Sequence, residues 1–205
     1  MIEGAPEIES VLPKFLEFAY NSCLCSYNAI FDMEFLNNEL KLIGRQPLEG
    51  IDVIDILKMA RRLLPGLEGY TLIKVADNLG IKTIQQHRAF SDVELTLKVF
   101  QRLLGILKAK GVSDFENSLV LFGINSKVYA NIINQRIAQI QEAIDLGVRL
   151  KIKYLSSHNA EVTEREVIPR EIKHDRNYTY LVSFCSLRND ERTFRIDGIL
   201  HLEII

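Results

Sequence analysis

Three residues of the first half combine types that could do acid–base and metal chemistry. His87 precedes Asp92 by five residues at the start of a long apolar-patterned segment, and Asp32 opens another such segment. An imidazole can move a proton near neutral pH, and carboxylate oxygens are the ligands that Mg²⁺ prefers. Five helical residues turn through roughly 500°, so His87 and Asp92 converge only if His87 lies in the loop before the helix. The pattern predicts two helix starts that aim Asp32 and Asp92 at one cleft.

A second candidate set lies near the end of the chain and could bind phosphates or bases. It consists of Tyr180 with Arg165, Arg188, Arg192 and Arg195. The guanidinium group of an arginine can donate two hydrogen bonds to one phosphate group, and a tyrosine ring can stack on a base. In the alternative interpretation the tyrosine packs inside its sheet and the arginines pair with neighbouring carboxylates. Both interpretations stay open for this set.

The first candidate set must be positioned by helices. Apolar residues at helical spacing predict helices over about 8–19, 31–43, 56–64, 71–79 and 90–107, with a short strand over 50–55. Pro13 should kink the first helix or shift its start. A partly helical connector is expected over 113–134, followed by a helix over 137–146.

The second candidate set belongs to a different kind of structure. After Gly147 the apolar residues alternate with polar ones, which predicts strands over 148–154, 162–168, 178–185, 193–196 and 199–204. Five short strands at this spacing are typical of a small antiparallel barrel. The chain is therefore predicted to be mixed α/β and mostly helical first, and all-β last.

The amino-acid composition limits the classes of protein to which the chain can belong. The 205 residues are 47% hydrophobic and 25% charged, with a formal charge of −2, which indicates a globular chain without a general polyanion-binding surface. Three cysteines without regular spacing predict partly buried thiols, not a disulfide framework. No apolar run has the length of a membrane span, and no signal peptide is apparent, so we expect a cytoplasmic protein without a membrane partner.

Two motifs in the first half resemble those of a known nuclease family. His87-Arg88-Ala89-x-x-Asp92 is similar to the third motif of the DnaQ-like and RNase T-like DEDDh exonucleases, and Tyr27-Asn28-Ala29-x-Phe31-Asp32 is similar to the second, where the family usually has His first. The residues between the two motifs also match the family's pattern in order and spacing, and the resemblance covers about residues 5–108.

The resemblance implies hydrolysis of phosphodiesters from a 3′ end by a two-metal mechanism, on a ribonuclease-H-like fold. It assigns Asp92 and Asp32 to Mg²⁺ or Mn²⁺, and Asp32 also to the catalytic carboxylate set. His87 would be the general base, and Asn28 and Phe31 would shape the site beside the terminal nucleotide. The implied partners are single-stranded nucleic acid or its 3′ ends.

One motif of the family is not matched. Asp-x-Glu on an opening strand should precede the first helix, whereas the sequence has Asp-x-Glu only at 32–34, 92–94 and 114–116, on predicted helices or in the connector. We therefore expect a partial exonuclease domain with uncovered apolar helix faces and no activity by itself. Three explanations stay open: a start further upstream, a complementing chain or second copy, or lost catalysis.

The last 69 residues resemble a WYL domain, an Sm-like small barrel that commonly senses ligands or nucleic acid in bacterial proteins. The resemblance is carried by Ile152-Lys153-Tyr154, Arg165 to Pro169, Tyr180-Leu181 and Arg192 to Asp197, with Thr179 where Trp is usual. It implies that Arg165, Tyr180, Arg188, Arg192 and Arg195 bind the ligand, a nucleotide or a strand. The expected organisation is a partial exonuclease domain (1–110), a helical connector (111–136) and a WYL domain (137–205). A non-catalytic binding or sensing protein is the alternative function.

Overall fold

The computed structural model describes residues 4–82, 89–124, 127–175 and 178–205. In these residues the chain is a mixed α/β protein with two β-sheets. The helices are α1 (Ile8–Phe18), α2 (Ala29–Leu42), α3 (Ile56–Leu63), α4 (Leu72–Asn78), α5 (Ala89–Ala109), α6 (Phe115–Phe122) and α7 (Lys127–Leu146). The strands are β1 (Leu24–Ser26), β2 (Val53–Asp55), β3 (Gly123–Ile124), β4 (Leu150–Leu155), β5 (Val162–Asp175), β6 (Tyr178–Cys185), β7 (Asp190–Arg195) and β8 (Ile199–Ile204).

The small first sheet places two helix starts side by side. β1 runs parallel to β2, with Ser26 opposite Asp55, and β3 pairs antiparallel with the other side of β2. Because β1 and β2 are parallel neighbours, their carboxyl ends lie at the same edge of the sheet. β1 leads into α2 and β2 leads into α3 at that edge.

Asp55 ties the two helix starts together. It is the N-cap of α3, and its Oδ1 accepts backbone N–H groups of Leu57 at 2.9 Å and Lys58 at 3.3 Å. The same oxygen accepts the N–H of Asn28, at the start of α2, at 3.2 Å. A buried carboxylate that satisfies three backbone donors fixes the distance between the two helices.

The helices pack through one buried face each. α3 buries Ile56, Met59, Ala60 and Leu63, at the spacing of a single helix face. α5 buries Val99, Leu103 and Leu107 in the same core. The apolar residues that predicted the first half of α5 are instead exposed. Phe90, Val93 and Leu97 each have more than half of their surface accessible. That exposure agrees with the expected uncovered helix faces.

The second sheet confirms five antiparallel strands. Their order is β7-β6-β5-β4-β8. β5 is twice as long as predicted: its first half pairs with β4 and its second half with β6. The register shifts between Pro169 and Glu171, because proline has no N–H to donate to the ladder. Between the described residues of β7 and β8 there is no pairing, so the sheet is open here and the predicted closed barrel is not confirmed.

The predicted connector is more ordered than its sequence pattern indicates. It contains α6 and β3, and α7 begins at Lys127, ten residues before the predicted start at Ile137. α6 is buried from Ser118 to Phe122 and is shared by two cores. Leu119 belongs to the helical core and Val120 to the core under the second sheet. A helix buried on all sides shows no amphipathic period, which explains why the pattern was weak.

The two parts of the chain are joined by a continuous interface. Leu155 and Leu200, from the second sheet, belong to the core of the helical part. Arg62 Nη2 donates to the backbone carbonyl of Leu155 at 2.7 Å, and Asn117 Nδ2 donates to that of Leu200 at 3.0 Å. These bonds satisfy carbonyl groups that the strand ends would otherwise bury unpaired.

Across the described ranges, we find no helix with the length and apolar character needed to cross a bilayer.

Candidate functional site

Asp32 and Asp92 line the same cleft, although they lie 60 positions apart in the sequence. Asp32 lies in the first turn of α2 and Asp92 in the first turn of α5. The cleft, called the carboxylate cleft below, has a volume of about 730 Å³. That volume lies in the range of roughly 300–1,000 Å³ usual for small-molecule sites. Both carboxylates lie where a helix N-terminus favours negative charge.

The Asp32 carboxylate is held by the preceding strand. Ser26, the last residue of β1, donates its hydroxyl to Asp32 Oδ2. This hydrogen bond spans the short loop between β1 and α2, so the strand end and the first helical turn together set the orientation of the carboxylate. Asp32 is partly buried, whereas Asp92 is exposed at the rim.

Tyr27 and Cys25 add two further polar groups to the cleft wall. Tyr27 Oη donates to the backbone carbonyl of Tyr70 at 2.7 Å, and burial raises the pKa of Tyr27 to about 12. Its hydroxyl is therefore a neutral donor at physiological pH. A hydrogen bond from Cys23 lowers the pKa of Cys25, which is exposed on β1.

Much of the remaining lining of the carboxylate cleft is apolar. Val93, Leu97 and Phe100 lie about one turn apart on α5, and Ile73 of α4 lines the same cleft. A cleft that combines two carboxylates with aliphatic and aromatic groups suits a ligand with a charged part and a planar or sugar-like part.

Two predicted substrate-binding residues lie elsewhere. Phe31 is 68% exposed and is absent from the lining of the carboxylate cleft. Asn28 has a left-handed backbone, with φ 66° and ψ 52°, and lines a second cleft, not the first. His87, the predicted general base, lies outside the described residues.

The donors of the carboxylate cleft allow a test of the predicted metal. Mg²⁺ is often bound by one or two carboxylates together with water and substrate phosphates. Asp32 and Asp92 offer two carboxylates in one cleft, which is a number that such a hydrated ion uses. Among the described residues there is no group of three or more His, Cys, Asp or Glu side chains that could hold a metal, so these residues do not supply the ligands of a two-ion centre.

The second candidate set does not form one patch. Arg165 donates from Nε to the Thr163 hydroxyl at 3.1 Å and from Nη1 to Cys185 Sγ at 3.8 Å. Cys185 and Tyr178 are the two ends of β6, roughly 20 Å apart at the rise of a strand. Arg165 therefore lies far from the tyrosine end of the sheet.

The remaining members of that set also separate. Arg188 is an exposed turn residue, and Arg192 forms an exposed ion pair with Asp190 at 3.7 Å. Arg192 and Arg195 stand three positions apart on β7, so they point to opposite faces of the sheet. Arg195 lies opposite Tyr180 in the ladder, on the face that also carries Tyr178.

Arg195 contributes to a cleft that the sequence did not predict. This second cleft, called the inter-domain cleft below, has a volume of about 480 Å³ and lies between α3 and the tyrosine end of the second sheet. Its cationic residues from α3 are Lys58, Arg61 and Arg62. Their spacing of three and four residues puts them on one helix face, which is the sequence signal that could have revealed the site.

Two family models match the chain. A model described as an exonuclease of the RNase T type matches residues 1–100, and a WYL domain model matches residues 135–204. The chain carries an exonuclease domain followed by a WYL domain. The mixed α/β arrangement of the exonuclease domain is consistent with a ribonuclease-H-like fold, and both resemblances predicted from the motifs are confirmed.

Curated relatives match the exonuclease domain. A DNA polymerase III of PolC type from Caldanaerobacter subterraneus subsp. tengcongensis is 38% identical over 112 residues, which is 55% of this chain and 8% of that protein. The DNA polymerase III subunit epsilon of Aquifex aeolicus is 35% identical over 116 residues, 56% of this chain and 57% of the relative. The chain thus spans little more than half of the epsilon subunit and a small fraction of the PolC-type polymerase.

One solved structure is similar to a larger part of the chain. The proteasome accessory factor B/C of Arthrobacter aurescens covers 65% of this chain and 19% of its own, with 22% sequence identity and a TM-score of 0.35. A TM-score this low carries no argument about the fold or function of the present chain.

Proposed function

We propose that this protein processes nucleic acid, and that its exonuclease domain, once joined by an Asp-x-Glu strand from an upstream segment or a complementing chain, hydrolyses phosphodiesters from a 3′ end in the carboxylate cleft. One observation carries the proposal: Asp32 and Asp92, from separate helices and from the two matched motifs, line a single cleft. Homology of the domain to the epsilon subunit and PolC-type polymerases supports the same class of reaction.

The protein's own residues have distinct roles in this proposal. Asp32, oriented by Ser26, and Asp92 at the rim would contribute carboxylate ligands to a divalent cation. When bound, such an ion neutralises phosphoryl charge and makes a water molecule more acidic. Tyr27 stays neutral and donates to Tyr70, so it positions the β1–α2 loop and does not accept a proton. His87 is proposed as the base that takes the proton of the attacking water.

The apolar lining of the carboxylate cleft explains how a strand end would be held. Val93 and Leu97 are exposed on α5 within the cleft, and Phe100 lies deeper in the same row. Contact with these groups would position the base and sugar of the terminal nucleotide, while the carboxylates face its phosphate. Positioning of this kind supplies a large part of the rate of a hydrolytic enzyme.

The experiment measures shortening of 5′-labelled single-stranded DNA and RNA by the chain alone and by the chain mixed with a polypeptide that carries the family's Asp-x-Glu strand, with Mg²⁺ or Mn²⁺ and with a chelator. We expect cation-dependent shortening from the 3′ end, and a loss of about a hundredfold or more in Asp32→Asn and Asp92→Asn, because each removes charge from the ion's site. Glu94→Gln is the matched control, since Glu94 is exposed on α5 two residues beyond Asp92 and outside the cleft lining. No shortening in either preparation, or equal loss in the Glu94 variant, contradicts the proposal.

A second candidate function is strand or nucleotide binding without hydrolysis. It is favoured by the two-carboxylate donor set, which among the described residues falls short of a metal-binding group of three. It predicts that fluorescence anisotropy of a labelled strand is unchanged by Asp92→Asn, and that no shortening accompanies binding.

A further inference from the structure

The inter-domain cleft has an excess of positive charge. Lys58, Arg61, Arg62 and Arg195 line it, against the single carboxylate of Asp55. That carboxylate is already engaged, because its Oδ1 accepts the three backbone N–H groups that join α2 to α3. The chain as a whole has a formal charge of −2, so the positive charge of this cleft is opposite in sign to the net charge of the protein.

The three cations of α3 form no ion pair within 4 Å among the described residues, although the charge of Asp197 acts on Lys58 and Arg62 from a greater distance. Lys58 Nζ donates to the backbone carbonyl of Gly123 at 3.1 Å, and Arg62 Nη2 donates to that of Leu155. Arg61 is exposed and makes no side-chain hydrogen bond or ion pair within the described part of the chain. The nearest other carboxylate, Asp197, bonds to Arg195.

Burial makes the positive charge of Arg62 energetically unfavourable. Its residue exposure is 8%, and its Nε is buried without an acceptor in the described chain. Burial lowers the pKa of Arg62 and also lowers that of Lys58, because the charged forms lose hydration. Asp197 offsets this loss only in part, since the pKa of Arg62 stays lowered, and an anion that entered the cleft would reduce the remaining penalty.

The WYL side of the cleft supplies a rigid aromatic group. The guanidinium carbon of Arg195 lies 3.6 Å from the centroid of the Tyr178 ring, and the same guanidinium donates two hydrogen bonds to the carboxylate of Asp197. Tyr178 is 39% exposed and lies next to Tyr180, with 6.5 Å between ring centroids. Arg195 is therefore pre-oriented, which reduces the entropy lost when it binds a ligand.

Apolar side chains complete the cleft. Ile30, Leu57 and Leu121 line it beside the cations. A volume of about 480 Å³ that combines forked cations, an aromatic ring and aliphatic groups suits a ligand with a tetrahedral anion and a planar apolar part.

We propose that the inter-domain cleft binds the phosphate group of a nucleotide, either free or within a strand, between α3 and the tyrosine end of the WYL sheet. The exonuclease domain supplies Lys58, Arg61 and Arg62, and the WYL domain supplies Arg195. The ligand contacts both domains and strengthens their association. The site does not depend on hydrolysis in the carboxylate cleft, so either proposal can fail alone.

Isothermal titration calorimetry on the whole chain tests the site with inorganic phosphate, adenosine 5′-monophosphate, adenosine and a single strand of about ten nucleotides. We expect saturable binding of the monophosphate, weaker binding of phosphate and none of adenosine. Arg61→Gln should weaken monophosphate binding about tenfold, which is the usual effect of losing one charged hydrogen bond. Because Arg61 is exposed and unpaired in the described chain, this variant should fold normally.

Arg195→Gln is the second variant, and Arg192→Gln is its matched control on the opposite face of the same strand. We expect the first to weaken binding by a similar factor and the second to bind as the wild type does. Strand binding that depends on Arg61 assigns the phosphate to nucleic acid, whereas monophosphate binding alone assigns it to a free nucleotide. If no phosphate-bearing probe binds, or if Arg61→Gln and Arg195→Gln bind as tightly as Arg192→Gln, the proposal is overturned.

Discussion

Gly198 lies where the two domains touch, and replacing it with alanine should loosen that contact. A Cβ atom at this position would lie 2.6 Å from Arg62 Nη2, 2.7 Å from Tyr154 Cε2 and 3.2 Å from the carbonyl oxygen of Leu155. Gly198 has no positive φ, so the effect of the substitution is one of space and not of backbone strain. The Arg62 guanidinium cannot withdraw without losing its hydrogen bond to Leu155.

The size of the effect follows from overpacking. One methyl group forced into a filled interface costs about 1–3 kcal/mol. Unfolding 205 residues carries an entropy of roughly 430 cal/mol/K, so a loss of about 2 kcal/mol lowers Tm by about 5 °C. Differential scanning calorimetry measures this shift directly.

Gly105→Ala is the control for the same chemical change. Gly105 lies inside α5, and a Cβ atom there meets nothing within 4 Å. Alanine in an open helix position should raise Tm by about 1–2 °C, because it removes the entropy cost of glycine. A Gly198→Ala protein that melts at or above the wild-type temperature, beside a stabilised Gly105→Ala protein, refutes the packing of Arg62 against Gly198.

Three further predictions concern the first sheet and the carboxylate cleft. Gly123→Ala should lower Tm by about 5–7 °C, since its Cβ atom would lie 2.4 Å from the backbone oxygen of Leu119, which cannot rotate away. The pKa of Tyr27 is raised to about 12 in the folded state, so the unfolded state loses its proton first as the pH rises above about 10. Wild-type Tm should therefore fall between about pH 10 and 12 more steeply than that of Tyr27→Phe, and thermal melts over this range check it. Iodoacetamide should modify Cys25 much faster than Cys185, because a neighbouring thiol lowers the pKa of exposed Cys25 while Cys185 is buried; peptide mass spectrometry gives both rates.

Long periodic segments were predictable from the sequence, whereas short strands were not. The helices α2 to α5 have apolar residues at helical spacing, and each was predicted within a few residues of its observed ends. β1 and β3 contain three and two residues, too few to show any alternation. Their pairing with β2 depends on contacts distant in the sequence, which local patterns do not contain.

For the candidate site, the positions of the carboxylates were predictable and their surroundings were not. Motif order indicated that Asp32 and Asp92 share a cleft, and both line it. Their proposed roles, that of His87 and the domain boundaries at 110 and 136 stay predictions. The inter-domain cleft was missed because its arginines come from α3 and β7, and their proximity is set by how the two domains pack.

The arginines of the WYL domain show a second limit of sequence patterns. Residues close in sequence were expected to form one patch, but strand alternation sends Arg192 and Arg195 to opposite faces, and strand length separates Arg165 from Tyr178. The odd spacing of Arg192 and Arg195 along β7 would already have indicated that they lie on opposite faces of the sheet. The second separation needs the register of β5 with β6.

Because α6 contributes side chains to two hydrophobic cores, cutting the chain at α6 would remove buried side chains from the core of each fragment. A piece ending before Phe115 would leave the helical core open where Leu119 and Phe122 fill it, and a piece beginning after Phe122 would lose Val120 from beneath the sheet. The chain should accordingly melt in one cooperative step, and a protease that cuts near position 114 should release fragments that aggregate.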